Sequence, residues 1–494
     1  MATKRNQRTT HTEVLIIGAG FSGLGTAIRL TQAGVTDFVI CERASDVGGT
    51  WRDNTYPGAA CDIPSLVYSY SFVPKPDWSR AYSGGEEILS YIRHMADQFG
   101  LRERIRFNTA VTGLTYDDDT GTWTASTQDG QTFTARAVVS AVGALTDASY
   151  PDIDGIDTYR GHRMLSSAWD HGYDFTGKHV AVVGTGASAV QIIPELVRTA
   201  ANVKVFQRTP GWVLPKANPR HPGWLTSLFR RVPGAQAALR QALFYGHEAM
   251  ALGVVWDSAA TSALQTIARL YLRQSVADPW LRRRLTPDYR MGCKRILITS
   301  DYYPALQADN CKLITWPIYA ISPNGIRTAE GIEHEVDCIV FATGFDVYNA
   351  GTPFPITGSG GRLLGDEWMT GAQAYKSVAV AGYPNLFFTV GPNSGPGHNS
   401  LLVYSEAQID YIVKAITFIR RDRLRSLDVR KDVQEEFNRE LQRRLARTTW
   451  NSGCHSWYLT SEGFNAAMYP GFATQYTRGL ATFDPSDYHT AKAG

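Results

Sequence analysis

Twice in this chain a β-branched apolar run breaks into a Gly-rich turn and then into a small-residue helical start. Residues 13–23 read EVLIIGAGFSG, and residues 179–189 read HVAVVGTGASA, 166 positions later. A strand that ends in G-x-G-x-x-G/A and opens a helix is the beginning of a dinucleotide-binding unit. Two such units predict an α/β chain with two Rossmann-like dinucleotide-binding domains. The 494 residues leave room for both, at about 100–200 residues per domain.

The first unit, Gly18-x-Gly20-x-x-Gly23, continues as a helix over Leu24–Ala33, stops at Gly34 and re-enters a strand at residues 37–42. Its first glycine permits the tight turn, the second lets the backbone approach a pyrophosphate, and the third lets helix and strand pack closely. Glu42 ends the second strand, 24 residues after Gly18. A carboxylate there accepts hydrogen bonds from ribose hydroxyls and repels a 2′-phosphate, so this site suits FAD or NAD and not NADP. The second unit is Gly184-x-Gly186-x-x-Ala189, with alanine in a place that tolerates it. At the same offset it carries Arg208, followed by Thr209. A guanidinium pairs with a 2′-phosphate and a hydroxyl adds a hydrogen bond, so this site is expected to prefer NADP(H). Together the two sites predict FAD plus NADPH, and a flavoenzyme that takes hydride from NADPH.

Composition narrows the classes further. Hydrophobic residues make up 44% and charged residues 19%, a globular balance that excludes a disordered chain. A formal net charge of +3 gives no large electrostatic footprint, so nucleic acid is not an expected partner. No apolar run reaches the ~18 residues of a membrane span, and the polar, basic first twelve residues contain no secretory h-region. A cytoplasmic location is expected. The six cysteines, at 41, 61, 293, 311, 338 and 454, form no CxxC pair. They read as reduced, mostly buried thiols, with neither a disulfide scaffold nor a metal site.

Further strands are expected within 136–144, 335–344 and 385–392, and a loop at 391–399 (GPNSGPGHN). Residues 224–285 are Leu/Ala/Arg-rich with helical spacing and read as a helical insertion in the second unit. Residues 404–418 read as a long amphipathic helix, and 428–447 as a solvated one. The Arg-rich patch 282–284 also reads as solvated. Disulfide reductases of the two-dinucleotide class carry a close redox-active cysteine pair. Here Cys41 and Cys61 are separated by 19 residues and even the nearest pair, Cys293 and Cys311, by 17. The electrons are therefore expected to pass to oxygen, a quinone or a substrate.

Residues 49–62, GTWRDNTYPGAACD, match the long pattern G-x-W-x-x-x-x-[F/Y]-P-[G/M]-x-x-x-D at Gly49, Trp51, Tyr56, Pro57, Gly58 and Asp62. In this the chain resembles class B flavoprotein monooxygenases of the Baeyer–Villiger type. The segments 292–306 (GCKRILITSDYYPAL), 341–346 (FATGFD), 391–402 and 483–488 (FDPSDY) are similar to that family too, so the resemblance runs essentially end to end. It implies an FAD-binding domain built from residues 1–150 and 341–494, an NADPH-binding domain from 151–223 and 286–340, and a helical subdomain at 224–285. By position it implies that Arg295 is the active-site arginine and that Asp62 is the carboxylate that tunes and holds it. Lys294 would help to recognise the NADP 2′-phosphate, and Gly49 and Trp51 would lie at the flavin cofactor. The implied reaction is oxygen insertion into a ketone or aldehyde through a flavin C4a-peroxide, giving an ester or lactone. Arg295 would stabilise the anionic peroxide, since arginine cannot lose its proton.

One motif departs from the family. The short fingerprint F-x-G-x-x-x-H-x-x-x-W-[P/D] is represented by YRGHRMLSSAWD at 159–170, where Tyr159 replaces Phe and Leu165 replaces His. That histidine is linked in the family to efficient coupling, and His162 is the nearby candidate to substitute for it. Three functions therefore stay open: Baeyer–Villiger oxidation, oxygenation of N or S atoms with a sulfide as substrate, and an uncoupled NADPH oxidase or redox-inactive flavoprotein. Trp212, Trp256, Phe244, Tyr245, the 391–402 loop and the 451–465 segment are candidates for a substrate pocket.

Overall fold

The computed structural model describes residues 9–143, 150–345, 352–454, 456, 458–460 and 463–493. The ends of the expected 136–144 strand region and of the 341–346 motif, at Ala144 and Asp346, lie outside the described residues, as do four positions of 451–465.

The duplicated signature becomes two copies of one local structure. In the first, strand β1 (Thr9–Ile17) leads through the glycine turn into helix α1 (Phe21–Gln32) and on to strand β2 (Phe38–Cys41). In the second, β3 (His179–Val183) leads into α2 (Ala189–Thr199) and on to β4 (Asn202–Phe206). Each pair of strands is parallel and in register, Ile17 opposite Cys41 and Val183 opposite Phe206.

Around the first copy grows an eight-stranded sheet whose strands come from residues 9–140, 356–357 and 386–388. Around the second grows an all-parallel five-stranded sheet in the order 311–314, 202–206, 179–183, 338–341, 162–165. Strands buried on both faces read as continuous apolar runs. The residues LII of β1 and VAVV of β3 do so because helices and loops cover both sides, with separate apolar clusters on each face.

The expected helical stretch is four helices: α3 (Gly223–Arg231), α4 (Ala235–Val254), α5 (Ala259–Ser275) and α6 (Pro279–Leu285). Residues 404–418 lie inside α7 (Leu401–Arg421). No described helix is long and apolar enough to cross a membrane. The loop 391–399 is a loop, but much of it is buried. Asn393 donates from Nδ2 to the carbonyls of Asn465 and Met468, at 2.7 and 3.1 Å.

A buried carboxylate locks the inserted helices to that loop. Glu248, on α4, is 6% exposed. Its Oε1 lies 3.0 Å from His398 Nε2 and accepts from Asn399 Nδ2 at 3.1 Å and from the backbone N–H of Ala473 at 2.9 Å. Its Oε2 accepts from the N–H and hydroxyl of Thr474. The carboxylate thus serves the exposed N–H groups at the start of the helix Ala473–Leu480. Burial raises the pKa of this carboxyl, but His398 and the Ala473–Thr474 donors together carry it down to about 2.

The folded-state pKa of Glu248 is below the unfolded value, so its contribution is present in full above pH ~4.5 and is lost as pH falls towards ~2. The fall of this carboxyl from 4.5 to about 2 corresponds to about 3 kcal/mol. Glu248→Ala is expected to cost about 3–5 kcal/mol at pH 7, since it leaves His398 and four donors unpaired. Glu248→Gln should flatten the loss of thermal stability between pH 5 and 3. Parallel acid limbs in variant and parent would count against this account.

Candidate active site

Both glycine turns are shaped by the same device. Gly18 has φ +105°, and a Cβ there would lie 2.6 Å from the Ala141 carbonyl oxygen. Gly184 has φ +117°, and a Cβ there would lie 2.5 Å from the Ala342 carbonyl oxygen. In each case the alanine follows the neighbouring strand and bonds back to the fingerprint strand, Ala141 N–H to Ile17 and Ala342 N–H to Val183. A side chain at Gly23 would overlap the Gly18 carbonyl. At neither helix start does a side chain cap the first turn. The N–H groups there are left for an anion, as a pyrophosphate-binding turn requires.

Glu42 closes the first turn. Its Oε2 accepts from Ala19 N–H at 2.8 Å, and its Oε1 accepts from Ala44 N–H and Arg52 Nη1, both at 2.9 Å. Gly49 packs against Gly20 beside it, and Trp51 donates from Nε1 to the Tyr68 hydroxyl at 3.0 Å. In the second turn Thr185 donates its hydroxyl to the Thr209 carbonyl at 3.2 Å. Ala189 begins α2, and Arg208 is exposed beyond the end of β4. Lys294 lies near enough to Arg208 that burial and that guanidinium both push its pKa below the usual lysine value.

The segment 49–62 then crosses from one sheet to the other. The Tyr56 hydroxyl donates to Gln191 Oε1 at 3.0 Å, and Gln191 Nε2 donates to the Ala60 carbonyl at 2.9 Å. The Gly58 backbone lies against the carbonyl of Gln191, on helix α2. Tyr56 and Gly58 are thus the surfaces by which the first unit rests on the second. The segment delivers Asp62 to Arg295, which lies 233 residues further along the chain. Arg295 donates from Nε at 3.1 Å and from Nη2 at 2.6 Å, both to the same oxygen, Asp62 Oδ2. The Arg295 side chain keeps 45% exposure and that of Asp62 24%, so the pair is not sealed in the interior. Burial alone would raise the pKa of Asp62, but Arg295 and, more weakly, Lys216 hold it below the usual carboxylate value. Asp62 in turn raises the pKa of Arg295.

A family model described as pyridine nucleotide-disulphide oxidoreductase matches residues 15–230. A Baeyer–Villiger monooxygenase of Pseudomonas aeruginosa is 44% identical over 484 residues, covering 97% of this chain and 91% of that one. This chain belongs to the Baeyer–Villiger monooxygenase family. Among solved structures, cyclohexanone monooxygenase from Rhodococcus sp. Phi1 bound to NADP+ matches with TM-score 0.89 at 26% identity. OTEMO in complex with FAD and NADP matches with TM-score 0.87 at 27%. Each covers 98% of this chain and 100% of its own.

Two expectations about this monooxygenase need correction. Its cysteines are not all reduced thiols. Cys293 and Cys454 form a disulfide, with Cα atoms 6.2 Å apart across 161 residues, and the other four cysteines are free. Spacing could not reveal the bridge, because folding alone brings residues 292–294 against residues 449–454. Nor does His162 stand in for Leu165. The edge strand His162–Leu165 runs parallel to 338–341, with Leu165 at its carboxyl end. His162 lies at the other end, about 10 Å away along the strand, stacked on Tyr173 and 3.3 Å from Asp170.

Sequence patterns also missed several residues. Lys216 is a second cation at the seam. Its Nζ donates to the Cys61 carbonyl at 2.9 Å and sits over the Tyr82 ring. Asn218 pairs with the backbone of Tyr82 through both ends of its amide. Neither residue forms part of a recognisable motif. Of the pocket candidates, Trp212 is core, bonded to the Tyr289 carbonyl, whereas Tyr245 is exposed.

The bridge flanks Lys294 and Arg295. Thiol titration of unfolded, unreduced protein should therefore count four cysteines, and six after reduction. Breaking the bridge by Cys454→Ser should lower stability by up to about 5 kcal/mol in the chain-entropy view, for a loop of this length. Six thiols without reductant would refute the pairing.

Proposed function

We propose that the chain is an NADPH-dependent FAD monooxygenase that inserts one oxygen atom of O2 into a ketone or aldehyde, giving an ester or lactone. The observation that carries this reading is the Asp62–Arg295 pair, a carboxylate and a guanidinium brought together from 233 residues apart. Bound FAD would supply the redox chemistry, accepting hydride from NADPH and activating O2.

The chain's own residues do the holding. The Gly18–Gly23 turn and the uncapped start of α1 suit the FAD pyrophosphate, with Gly49 and Trp51 beside it. A carboxylate offers about four acceptor positions. Three on Glu42 are taken within the protein, leaving one for a ribose hydroxyl. Gly184, Gly186 and Ala189 suit the NADPH pyrophosphate, and Arg208, Thr209 and Lys294 its 2′-phosphate. Arg295 presents a permanent positive charge where negative charge develops on oxygen. Because Nε and Nη2 both point to one oxygen of Asp62, Nη1 remains for the reacting oxygen. Asp62 fixes the plane of the guanidinium. This assignment implies that residues 1–150 and 341–494 bind FAD, that 151–223 and 286–340 bind NADPH, and that 224–285 form a helical subdomain. A cytoplasmic location is part of the same proposal.

Product formation should follow NADPH and not NADH consumption across a panel of ketones. Arg295→Ala should lower ester formation by about a hundredfold or more, while leaving reduction of the flavin by NADPH. Hydrogen peroxide as the sole product for every ketone and sulfide would overturn the oxygenation reading.

Leu165 supports a second reading, an oxidase that leaks its reducing equivalents to peroxide. It lies at the ligand-facing carboxyl end of its strand, where the family fingerprint has histidine, and offers no polar contact. Leu165→His should lower the peroxide formed per NADPH consumed. An unchanged ratio would remove this residue from the account.

A further inference from the structure

The three consecutive arginines 282–284 do not behave alike. Arg282 donates from Nη1 to the carbonyls of Val276 and Ala277, at 3.0 and 3.1 Å, and is a structural residue. Arg283 and Arg284 are exposed, and among the described residues neither side chain has a hydrogen-bond or ion-pair partner. The same holds for Arg208. All three line one cleft of about 380 Å³, together with Gln207, Pro210, Trp280 and Thr315.

The position of this cleft has a topological meaning. Arg208 follows β4, and Thr315 follows the parallel strand Cys311–Ile314 directly beside it. The cleft therefore opens at the carboxyl ends of two strands, one strand over from the Gly184 turn. In such sheets that is where the adenosine end of a dinucleotide lies. Its outer wall is α6. Trp280, Arg283 and Arg284 stand at i, i+3 and i+4, which puts them on one helix face.

That face is held in place. Asp278 caps α6 by accepting the N–H groups of Trp280 and Leu281, at 2.9 and 3.1 Å. Gln207 Nε2 donates to the Arg284 carbonyl at 2.8 Å, tying the helix to the end of β4. Leu285 is buried in the core behind it. Four cations thus gather at one sheet corner: Arg208, Arg283, Arg284 and, on the inner side, Lys294. Asp288 is the carboxylate whose charge reaches Lys294, and no described carboxylate pairs with the three guanidinium groups. Like charges brought together cost free energy unless an anion joins them. Trp280, 70% exposed, lines the same cleft and presents an open aromatic face beside them.

We propose that α6 is the outer wall of an adenosine 2′-phosphate site: Arg283 and Arg284 pair with the phosphate opposite Arg208, and Trp280 stacks on the adenine. This rests on the reading that the second turn binds NADP, and it adds residues from the helical insertion to the selection between NADP and NAD. A phosphate monoester carries about −1.5 to −2 charges at pH 7, enough to offset several of these cations.

The test is binding of adenosine 2′,5′-bisphosphate and of 5′-AMP to the FAD-loaded full-length protein, by calorimetry and by quenching of Trp280 fluorescence. The double variant Arg283→Gln/Arg284→Gln should weaken the bisphosphate by about tenfold or more and leave 5′-AMP nearly unchanged. Trp280→Ala should weaken both ligands alike, by about fivefold or more, and should abolish most of the quenching. Arg283→Lys/Arg284→Lys should restore part of the bisphosphate affinity. Arg208→Gln serves as the reference. If Arg208→Gln loses bisphosphate affinity while the double variant keeps it, the outer wall is refuted and the NADP reading stands. If the parent protein does not distinguish bisphosphate from 5′-AMP, the NADP reading itself falls.

Discussion

The centre of this molecule depends on a charge pair whose halves are supplied by different sheets. Asp62 arrives at the end of the segment that follows β2 and passes the first glycine turn at Gly49, and Arg295 on a loop beside the inserted helices. Neither sheet brings the pair together by itself. Polar contacts surround the pair: Tyr56 and Ala60 with Gln191, Lys216 with Cys61, Asn218 with Tyr82, and Thr55 with His171. Individual hydrogen bonds of this kind contribute about 1 kcal/mol each. Elsewhere the inserted helices pack apolar residues such as Ala251 and Val255 into the first unit's core, and the Cys293–Cys454 bridge ties the two parts covalently. The ion pair sits among these couplings and joins the two units at the candidate site.

Much of this was legible before any coordinates. The two fingerprints gave both sheets, because a strand, a glycine turn and a helix leave a local signature that survives any tertiary context. The offset from the first glycine to Glu42 or Arg208 is equally local, since it counts along one strand–helix–strand unit. The helical insertion was readable from composition and spacing. The role of the 49–62 pattern was not. Tyr56 and Gly58 are explained only by Gln191, 135 and 133 positions away from them in the chain, and no periodicity reports a contact of that range.

The same limit accounts for the errors. The Cys293–Cys454 bridge joins segments that have no common local pattern. The buried Glu248 looks in sequence like any helix-surface glutamate; its partners His398, Asn399 and Thr474 are more than 140 residues away. The run 282–284 looked like uniform solvated charge because a sequence does not say which guanidinium is already satisfied. Helical geometry separates them: Arg282 turns back to its own preceding turn, while Arg283 and Arg284 share a face with Trp280. His162, adjacent to Leu165 on the page, is at the opposite end of a strand in space.

The alanine carbonyls beneath Gly18 and Gly184 carry one more implication. Each turn is moulded by a neighbouring strand of its own sheet, so its shape is set when the sheet forms and not when a nucleotide arrives. The conformational entropy of the phosphate loop is then surrendered during folding, and little of the affinity for a dinucleotide is spent on ordering it. On the proposed assignment both turns are ready-made receptors, and nucleotide capture at each would resemble docking onto a rigid template more than the closing of a loop.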